Sequence, residues 1–225
     1  MSSSGARAGA SPISAEVGPE VRLLVALPEG AREVTEAPAV NVGGLPGVSV
    51  VLRKGFRVAD AGSLGIGCVR GPSDKWAPGV EELVFARATS IAKGSLGVSL
   101  ERLDARPIRS ENRVIEQRLS GEGTTGAGGS LVEMRHLLVF AGEAREGVLC
   151  SVACVEARGA SLKCSELVSS ASFQGSLMEP PPPSLLVRLI LASAERPLHA
   201  GALVLVLGIA AVAIVLVRRP RPRPL

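Results

Sequence analysis

The feature that most constrains this chain is an apolar run near its C-terminus. Residues 200–217, AGALVLVLGIAAVAIVLV, contain no charged side chain. At about 1.5 Å per helical residue the run would extend about 27 Å, enough to cross a bilayer core. We therefore expect a single transmembrane helix here, with a buried helix of a soluble protein as the less favoured alternative. The residues expected to form this anchor include Ala200, Leu203, Leu207, Gly208, Ile209, Ile214 and Val217.

Basic residues follow the apolar run directly. In the Arg/Pro tail, residues 218–225, they are Arg218, Arg219, Arg221 and Arg223. The positive-inside rule would keep these arginines in the cytoplasm and the preceding domain outside. However, the N-terminus lacks the apolar segment of a secretory signal peptide, so export of a long domain would be difficult. We therefore favour a cytoplasmic domain on a single-pass membrane protein that has the lipid bilayer as a partner.

The remainder of the chain is electrically balanced. Lys and Arg total 25 and Asp and Glu total 21, for a net charge of +4. The four tail arginines account for that excess. A neutral body with only 2% aromatic residues argues against nucleic acid as a partner, which requires a basic surface and often stacking rings. The abundance of Ala, Gly, Val and Arg favours a GC-rich bacterial source.

Composition divides the chain before the apolar run into four parts. A Ser/Ala/Gly-rich start predicts disorder, and a patterned segment predicts one globular domain. The prolines of EPPPPS predict a semi-rigid linker, and LLVRLILASAE predicts an interfacial or amphipathic helix. The boundaries are 1–19 for the disordered start, 20–178 for the domain, 179–184 for the linker and 185–197 for the helix.

Within the domain, periodicity predicts several short strands and only two helices. The clearest strands are predicted at 131–140 and 148–156, and Leu96, Val98 and Leu100 alternate as in a further strand. Apolar residues at helical spacing mark helices at 80–93 and 162–171. Short strands joined by turns favour an α+β domain, in which an antiparallel sheet carries packed helices. With the apolar run added, the predicted fold class is this α+β domain followed by one transmembrane helix.

The order of elements resembles the PsbP-like superfamily. The likeness is carried by LLVALPEGAREV at 23–34, by VEELVFARATSIAKG at 80–94, and by the closing hairpin and helix at 135–157 and 165–173. This superfamily includes the photosystem II oxygen-evolving subunit P, bacterial lipoproteins and small chaperones of secretion. The resemblance implies an accessory or binding protein without a shared active site.

Four cysteines, Cys68, Cys150, Cys154 and Cys164, raise the question of a metal site or disulfides. Four residues along a strand span about 13 Å, at about 3.3 Å per residue. Cys150 and Cys154 therefore cannot bind one zinc ion or bond to each other, so we predict no metal site. Either could pair with Cys164 if the domain is extracytoplasmic. In the cytoplasm, all four would be small buried hydrophobic residues.

The sequence offers little support for catalysis. A Ser–His or Cys–His catalyst would depend on His136, because His199 adjoins the apolar run. His136 lies within a predicted strand, where a structural or surface role is favoured. The glycine-rich segments 65–71 and 121–129 lack the full dinucleotide and P-loop patterns, so no cofactor is predicted. We expect no catalytic residues and no cofactor.

These observations predict a membrane-anchored, non-enzymatic binding or accessory module of a bacterial cell. Its narrower form, suggested by the family resemblance, is a chaperone-like protein for secretion, and we expect a protein partner. Two alternatives remain open. One is a membrane-tethered thiol enzyme that uses Cys68 or Cys150 as its nucleophile. The other is a structural envelope protein.

Overall fold

Antiparallel strands build most of the domain. The computed structural model of the chain describes residues 12–35, 47–59, 61–76, 81–126, 128–142 and 146–182. These residues form twelve strands, two α-helices and one 3-10 turn, Ser73–Trp76. The strands are β1 (Ile13–Gly18), β2 (Val21–Val25), β3 (Arg32–Glu33), β4 (Ser49–Val58), β5 (Gly62–Pro72), β6 (Ser99–Ala105), β7 (Arg109–Glu111), β8 (Val114–Thr125), β9 (Gly128–Ala141), β10 (Glu146–Ala157), β11 (Ser172–Gly175) and β12 (Leu177–Met178). The helices are α1 (Glu81–Lys93) and α2 (Cys164–Ser169).

The strands form two sheets. The large sheet has the order β3-β4-β5-β10-β9-β8-β6, with β12 paired to β9 and β7 paired to β8. The small sheet has the order β1-β2-β11. Every neighbouring pair is antiparallel. Strand β10 lies at the centre of the large sheet and is buried along nearly its whole length. A strand covered on both faces must be largely apolar at consecutive positions, as VLCSVACV is at every position except Ser151.

The side chains of β10 alternate between two hydrophobic cores, one on each face of the large sheet. Val148, Cys150 and Val152 belong to the core that also contains the small sheet and α2. Leu149 and Ala153 belong to the core on the opposite face, which contains α1. Successive side chains of a strand point to opposite faces, so one continuous apolar sequence supplies both cores. The large sheet is therefore the middle of three layers.

Helix α1 covers one face of the large sheet. Glu81 and Glu82 occupy its first turn, where negative charge is favourable, and Lys93 occupies its last. Phe85, Ala88 and Ala92 are buried against the sheet, as their spacing of three to four residues requires. The helix matches the predicted span of 80–93 closely. Opposite it, α2 has only six residues, fewer than the predicted 162–171.

The fold class predicted from the sequence is wrong. The described residues are mostly antiparallel sheet, with 59% in strands and 14% in helices. The prediction placed helices on a single sheet, whereas a second sheet covers much of one face. Part of that sheet comes from the predicted disordered start, because β1 lies within 1–19 and pairs with β2. Its sequence ISAEVG is less apolar than that of the central strand β10, and pairing with β2 stabilises it.

The predicted C-terminal transmembrane helix, and with it the single-pass membrane localisation, is not supported. No helix that the structure describes is both long and apolar enough to span a membrane. The prediction rested on apolar composition, which fixes hydropathy but not the helical conformation that a span also requires. The segment 200–217 lies outside the described residues, as do the predicted helix at 185–197 and the tail at 218–225.

The first part of the predicted proline linker is tied to the domain. Strand β12 pairs with β9 just before it. Arg113 donates from Nη1 to the Leu177 carbonyl oxygen at 2.7 Å and from Nε to Glu179 Oε1 at 3.0 Å. The described chain therefore follows the edge of the domain as far as Glu179.

Candidate functional site

The large sheet has a charged region on the face that α2 and the small sheet cover only in part. Strands β8 and β9 place Arg118 directly opposite Arg135, and β7 places Arg109 opposite Glu116. Arg106 follows the end of β6, and its backbone N–H donates to the Arg118 carbonyl oxygen at 2.8 Å. We call these five residues, Arg106, Arg109, Glu116, Arg118 and Arg135, the arginine trough.

The innermost part of the arginine trough is an ion pair between Glu116 and Arg135. Arg135 Nε donates to Glu116 Oε2 at 2.7 Å, and Nη2 of the same guanidinium also contacts Oε2. The two side chains are only 15% and 12% exposed. Arg135 Nη1 donates to the carbonyl oxygens of Ser169 at 3.1 Å and Ala171 at 2.7 Å. Arg135 therefore satisfies carbonyl groups at the end of α2 while it neutralises Glu116.

Replacing Arg135 by Met should lower the free energy of unfolding by about 2 kcal/mol, because Glu116 would lose its partner in a poorly solvated position. Urea denaturation of the variant would measure this loss. The double variant Arg135→Met with Glu116→Gln should recover part of it, since the unpaired charge is then gone. If the loss of stability in the double variant equalled or exceeded the sum of the losses in the two single variants, Arg135 and Glu116 would not stabilise each other as the contacts indicate.

The other arginines of the trough are more accessible. Arg118 Nη1 donates to Ser169 Oγ at 3.0 Å, and its Nε lies 3.6 Å from Glu116 Oε1. Arg106 and Arg109 are exposed. Among the described residues, neither Arg106 nor Arg109 has a carboxylate oxygen within 4.0 Å. The trough therefore has more cationic groups than internal partners for them.

Glu133 lies beside the arginine trough, close enough for two of its arginines to affect the pKa of the Glu133 carboxyl group. Burial raises the pKa of the Glu133 carboxyl, and the positive charges of Arg106 and Arg118 act in the opposite direction. Desolvation thus outweighs two nearby guanidinium groups at this position. The carboxyl group of Glu133 is therefore less hydrated than one in bulk solvent, whereas Arg106 itself is exposed.

Two adjoining cavities open at the trough. The smaller, of about 110 Å³, is lined by Arg106, Pro107, Arg109, Glu116 and Arg118. The larger, of about 390 Å³, shares Arg109, Glu116 and Arg118 with it and also contacts Arg135. The larger cavity adds an apolar wall formed by Val114, Leu137, Phe173 and Leu177. A cationic rim thus leads into a partly apolar cleft.

His136 does not belong to this surface. It is fully buried on the opposite face of the sheet, where Nε2 lies 2.9 Å from Thr89 Oγ1 and Nδ1 lies 2.6 Å from Ser151 Oγ. The ring of Phe85 stacks on it with centroids 5.9 Å apart. Burial lowers the pKa of His136 to about 3. A substrate could not reach this Ser–His pair, so the arrangement links α1 to the sheet.

All four cysteines are bonded in pairs. Cys68 and Cys150 lie opposite each other on β5 and β10 and form one disulfide, with a Cα–Cα distance of 4.1 Å. Cys154 and Cys164 form the other, which joins β10 to α2. The sequence left Cys164 with two possible partners, and the structure joins it to Cys154. The bond between Cys68 and Cys150 was not predicted, because only the register of β5 and β10 brings them together.

The glycine-rich segment 121–129, which lacks the P-loop pattern, belongs largely to strands. Strand β8 continues to Thr125, and β9 begins at Gly128. A Cβ atom at Gly121 would collide with the carbonyl oxygen of Arg102 on β6. Glycine is needed there for close approach of β6 to β8. No described group of three or more His, Cys, Asp or Glu residues could hold a metal ion.

Comparisons with known proteins find a likeness in structure but none in sequence. No protein-family model and no curated protein matches the sequence. Among solved structures, the chain is similar to LpqN, which is involved in cell envelope biogenesis of Mycobacterium tuberculosis, with a TM-score of 0.42 and 9% identity. The match covers 73% of this chain and 90% of that chain. At that TM-score the likeness does not confirm the PsbP-like resemblance and identifies no ligand.

Proposed function

We propose that this protein is a non-enzymatic binding or accessory module of the bacterial cell envelope that works in an oxidising, extracytoplasmic compartment. The observation that carries this proposal is the pairing of all four cysteines in two disulfides. Disulfides persist in secreted and periplasmic proteins, whereas thiols of the bacterial cytosol are kept reduced. The proposal replaces the cytoplasmic domain expected from the sequence.

Several contacts favour binding over catalysis. Cys68 and Cys150, the nucleophiles of the thiol-enzyme alternative, are fully buried and bonded to each other. His136 is enclosed between α1 and the sheet. By contrast, the arginine trough combines accessible cations with a cleft of about 390 Å³, a volume within the range of ligand sites. A structural envelope protein, the other alternative, would need no such cleft.

The narrower role as a chaperone for secretion, and the protein partner expected with it, remain proposals drawn from the family resemblance. No contact of the described residues favours them over another kind of binding.

The state of the cysteines in living cells tests the proposed compartment. Cells that produce the protein would be quenched with acid and alkylated under denaturing conditions, before and after reduction, and alkyl groups would be counted by mass spectrometry. We expect no alkylation before reduction and four alkylated cysteines after it. The variant Cys164→Ala is the matched control, because it leaves Cys154 without its partner and should show one alkylated cysteine before reduction. Four free thiols in the unreduced native protein would contradict the proposal.

A further inference from the structure

We propose that the arginine trough binds an anionic amphiphile, whose carboxylate or phosphate is held by Arg106, Arg109 and Arg118 and whose apolar part enters the adjoining cleft. This inference rests on the proposed function, because it names the class of ligand that the binding module would take.

The charge balance of the smaller cavity favours an anion. Three guanidinium groups, those of Arg106, Arg109 and Arg118, line it together with a single carboxylate, Glu116. Glu116 is already neutralised by Arg135, which contacts it through two nitrogen atoms. In the described part of the chain, no carboxylate lies within ion-pair distance of Arg106 or Arg109. The positive charge of these two side chains therefore has no ion-pair partner there. Guanidinium groups bind carboxylate and phosphate through paired N–H donors, which makes them suitable for both anions.

Partial desolvation would strengthen that attraction. Arg135 and Glu116 form the floor of the site and are almost excluded from water. Glu133, beside the site, has a raised pKa because it is partly buried. An anion that reached Arg118 beside this ion pair would therefore be less screened by water than one bound to the exposed Arg106 or Arg109 alone.

The larger cavity supplies the apolar half of the site. Leu137 is a buried core residue, and Val114, Phe173 and Leu177 are packed against the same core. These side chains come from β8, β9, β11 and β12, so the wall is held by both sheets. Glu111 and Asn112 also line this cavity, so its charged lining consists of Arg109, Arg118 and Arg135 against Glu111 and Glu116. The net charge stays positive while the wall favours apolar groups.

Calorimetric titration of the oxidised, full-length protein tests the ligand class. Octanoate and octyl phosphate are the anionic probes. Octanol and octylammonium carry the octyl group of octyl phosphate, one methylene longer than the chain of octanoate, without the negative charge. Acetate and inorganic phosphate have the charge without the apolar part. We expect octanoate and octyl phosphate to bind at least about tenfold more tightly than the other four compounds. Binding of octanoate should weaken with added salt, whereas any binding of octanol should not.

Two substitutions locate the site. Arg106→Gln and Arg109→Gln should each weaken octanoate binding about tenfold, since each removes one charge-assisted contact. Both residues are exposed, so the variants should keep the thermal midpoint of the native protein. Arg32→Gln is the matched control, because Arg32 is an exposed arginine on β3, at the opposite edge of the large sheet. It should leave octanoate binding unchanged.

Four results would overturn the inference. Equal affinity for octanol and octanoate would remove the role of the anion, and equal affinity for inorganic phosphate and octyl phosphate would remove the role of the apolar wall. Unchanged octanoate binding in both arginine variants would place the ligand elsewhere. The alkylation experiment does not depend on these titrations. An oxidised protein that binds none of the probes would therefore contradict this inference and leave the proposed compartment intact.

Discussion

Replacing Cys68 and Cys150 together by alanine should lower the free energy of unfolding by about 4.5 kcal/mol. The disulfide closes a chain segment with a sequence separation of 82 residues. In the chain-entropy description, a cross-link of that length removes a large part of the conformational freedom of the unfolded chain, and the predicted contribution follows from the length of the closed loop. The bond joins the two central strands β5 and β10, so we expect its loss to affect the whole domain.

The second disulfide provides an internal comparison. Cys154 and Cys164 are separated by only 10 residues, for which the same description gives about 2.7 kcal/mol. The segments closed by the two bonds do not overlap in sequence, so the two losses should add. Together they approach the whole stability of a typical domain, about 5 to 15 kcal/mol. A protein without either bond should therefore be largely unfolded at moderate urea concentrations.

Urea denaturation of the native protein and of the two double-alanine variants would measure these differences. Hydrogen exchange would show which parts of the domain each disulfide stabilises. In the variant without Cys154 and Cys164, we expect fast exchange to be confined to α2, because a six-residue helix is not stable without its attachment. A smaller loss for the longer loop than for the shorter one would contradict the entropic account, and native-state packing around the sulfurs would then have to dominate.

The elements that could be predicted from the sequence are those defined by local patterns. Helix α1 follows from apolar spacing over thirteen residues, and the hairpin of β9 and β10 follows from two long apolar segments and a turn. The small sheet could not be predicted in the same way. Strand β2 pairs with β11, and their partners Leu23 and Phe173 are far apart in sequence. Nothing near either strand specifies that pairing, so the fold class was assigned incorrectly.

The candidate site was missed for a related reason. In sequence, Glu116, Arg118 and Arg135 are ordinary charged residues within strands, where a solvated face is the usual expectation. Only the register of β8 and β9 places Arg118 opposite Arg135. Only the position of α2 encloses Arg135 against the carbonyl oxygens of Ser169 and Ala171. The one available signal was the concentration of five arginines between residues 102 and 118.

The stability of the native protein should fall by about 3 kcal/mol more than that of the variant His136→Gln when the pH is lowered from 7 to 4. In the folded state, burial lowers the pKa of His136 from 6.5 to about 3. In the unfolded state, the imidazole is solvated and should titrate near 6.5. At pH values between the folded pKa of about 3 and the unfolded pKa of 6.5, the imidazole binds a proton in the unfolded chain but not in the folded chain. Acid therefore favours unfolding. The stabilisation is complete above pH 6.5 and declines as the pH falls towards 3.

The environment of His136 explains why it stays neutral. Its two ring nitrogens face the hydroxyl groups of Thr89 and Ser151, and its ring faces Phe85. None of these three partners carries a charge that could stabilise an imidazolium ion. A neutral imidazole, by contrast, can donate to one hydroxyl and accept from the other, which satisfies both of its nitrogens. Protonation would therefore place an uncompensated charge between α1 and the sheet.

Urea denaturation at pH 7, 6, 5 and 4 would separate this contribution from all others. Carboxyl groups titrate in the native protein and in His136→Gln alike, so the difference between the two proteins isolates the imidazole. The difference should grow by about 1.4 kcal/mol per pH unit below pH 6. A constant difference across the four pH values would mean that His136 is protonated equally in the folded and unfolded states. That result would contradict the prediction, which follows from the burial of His136 between Phe85, Thr89 and Ser151.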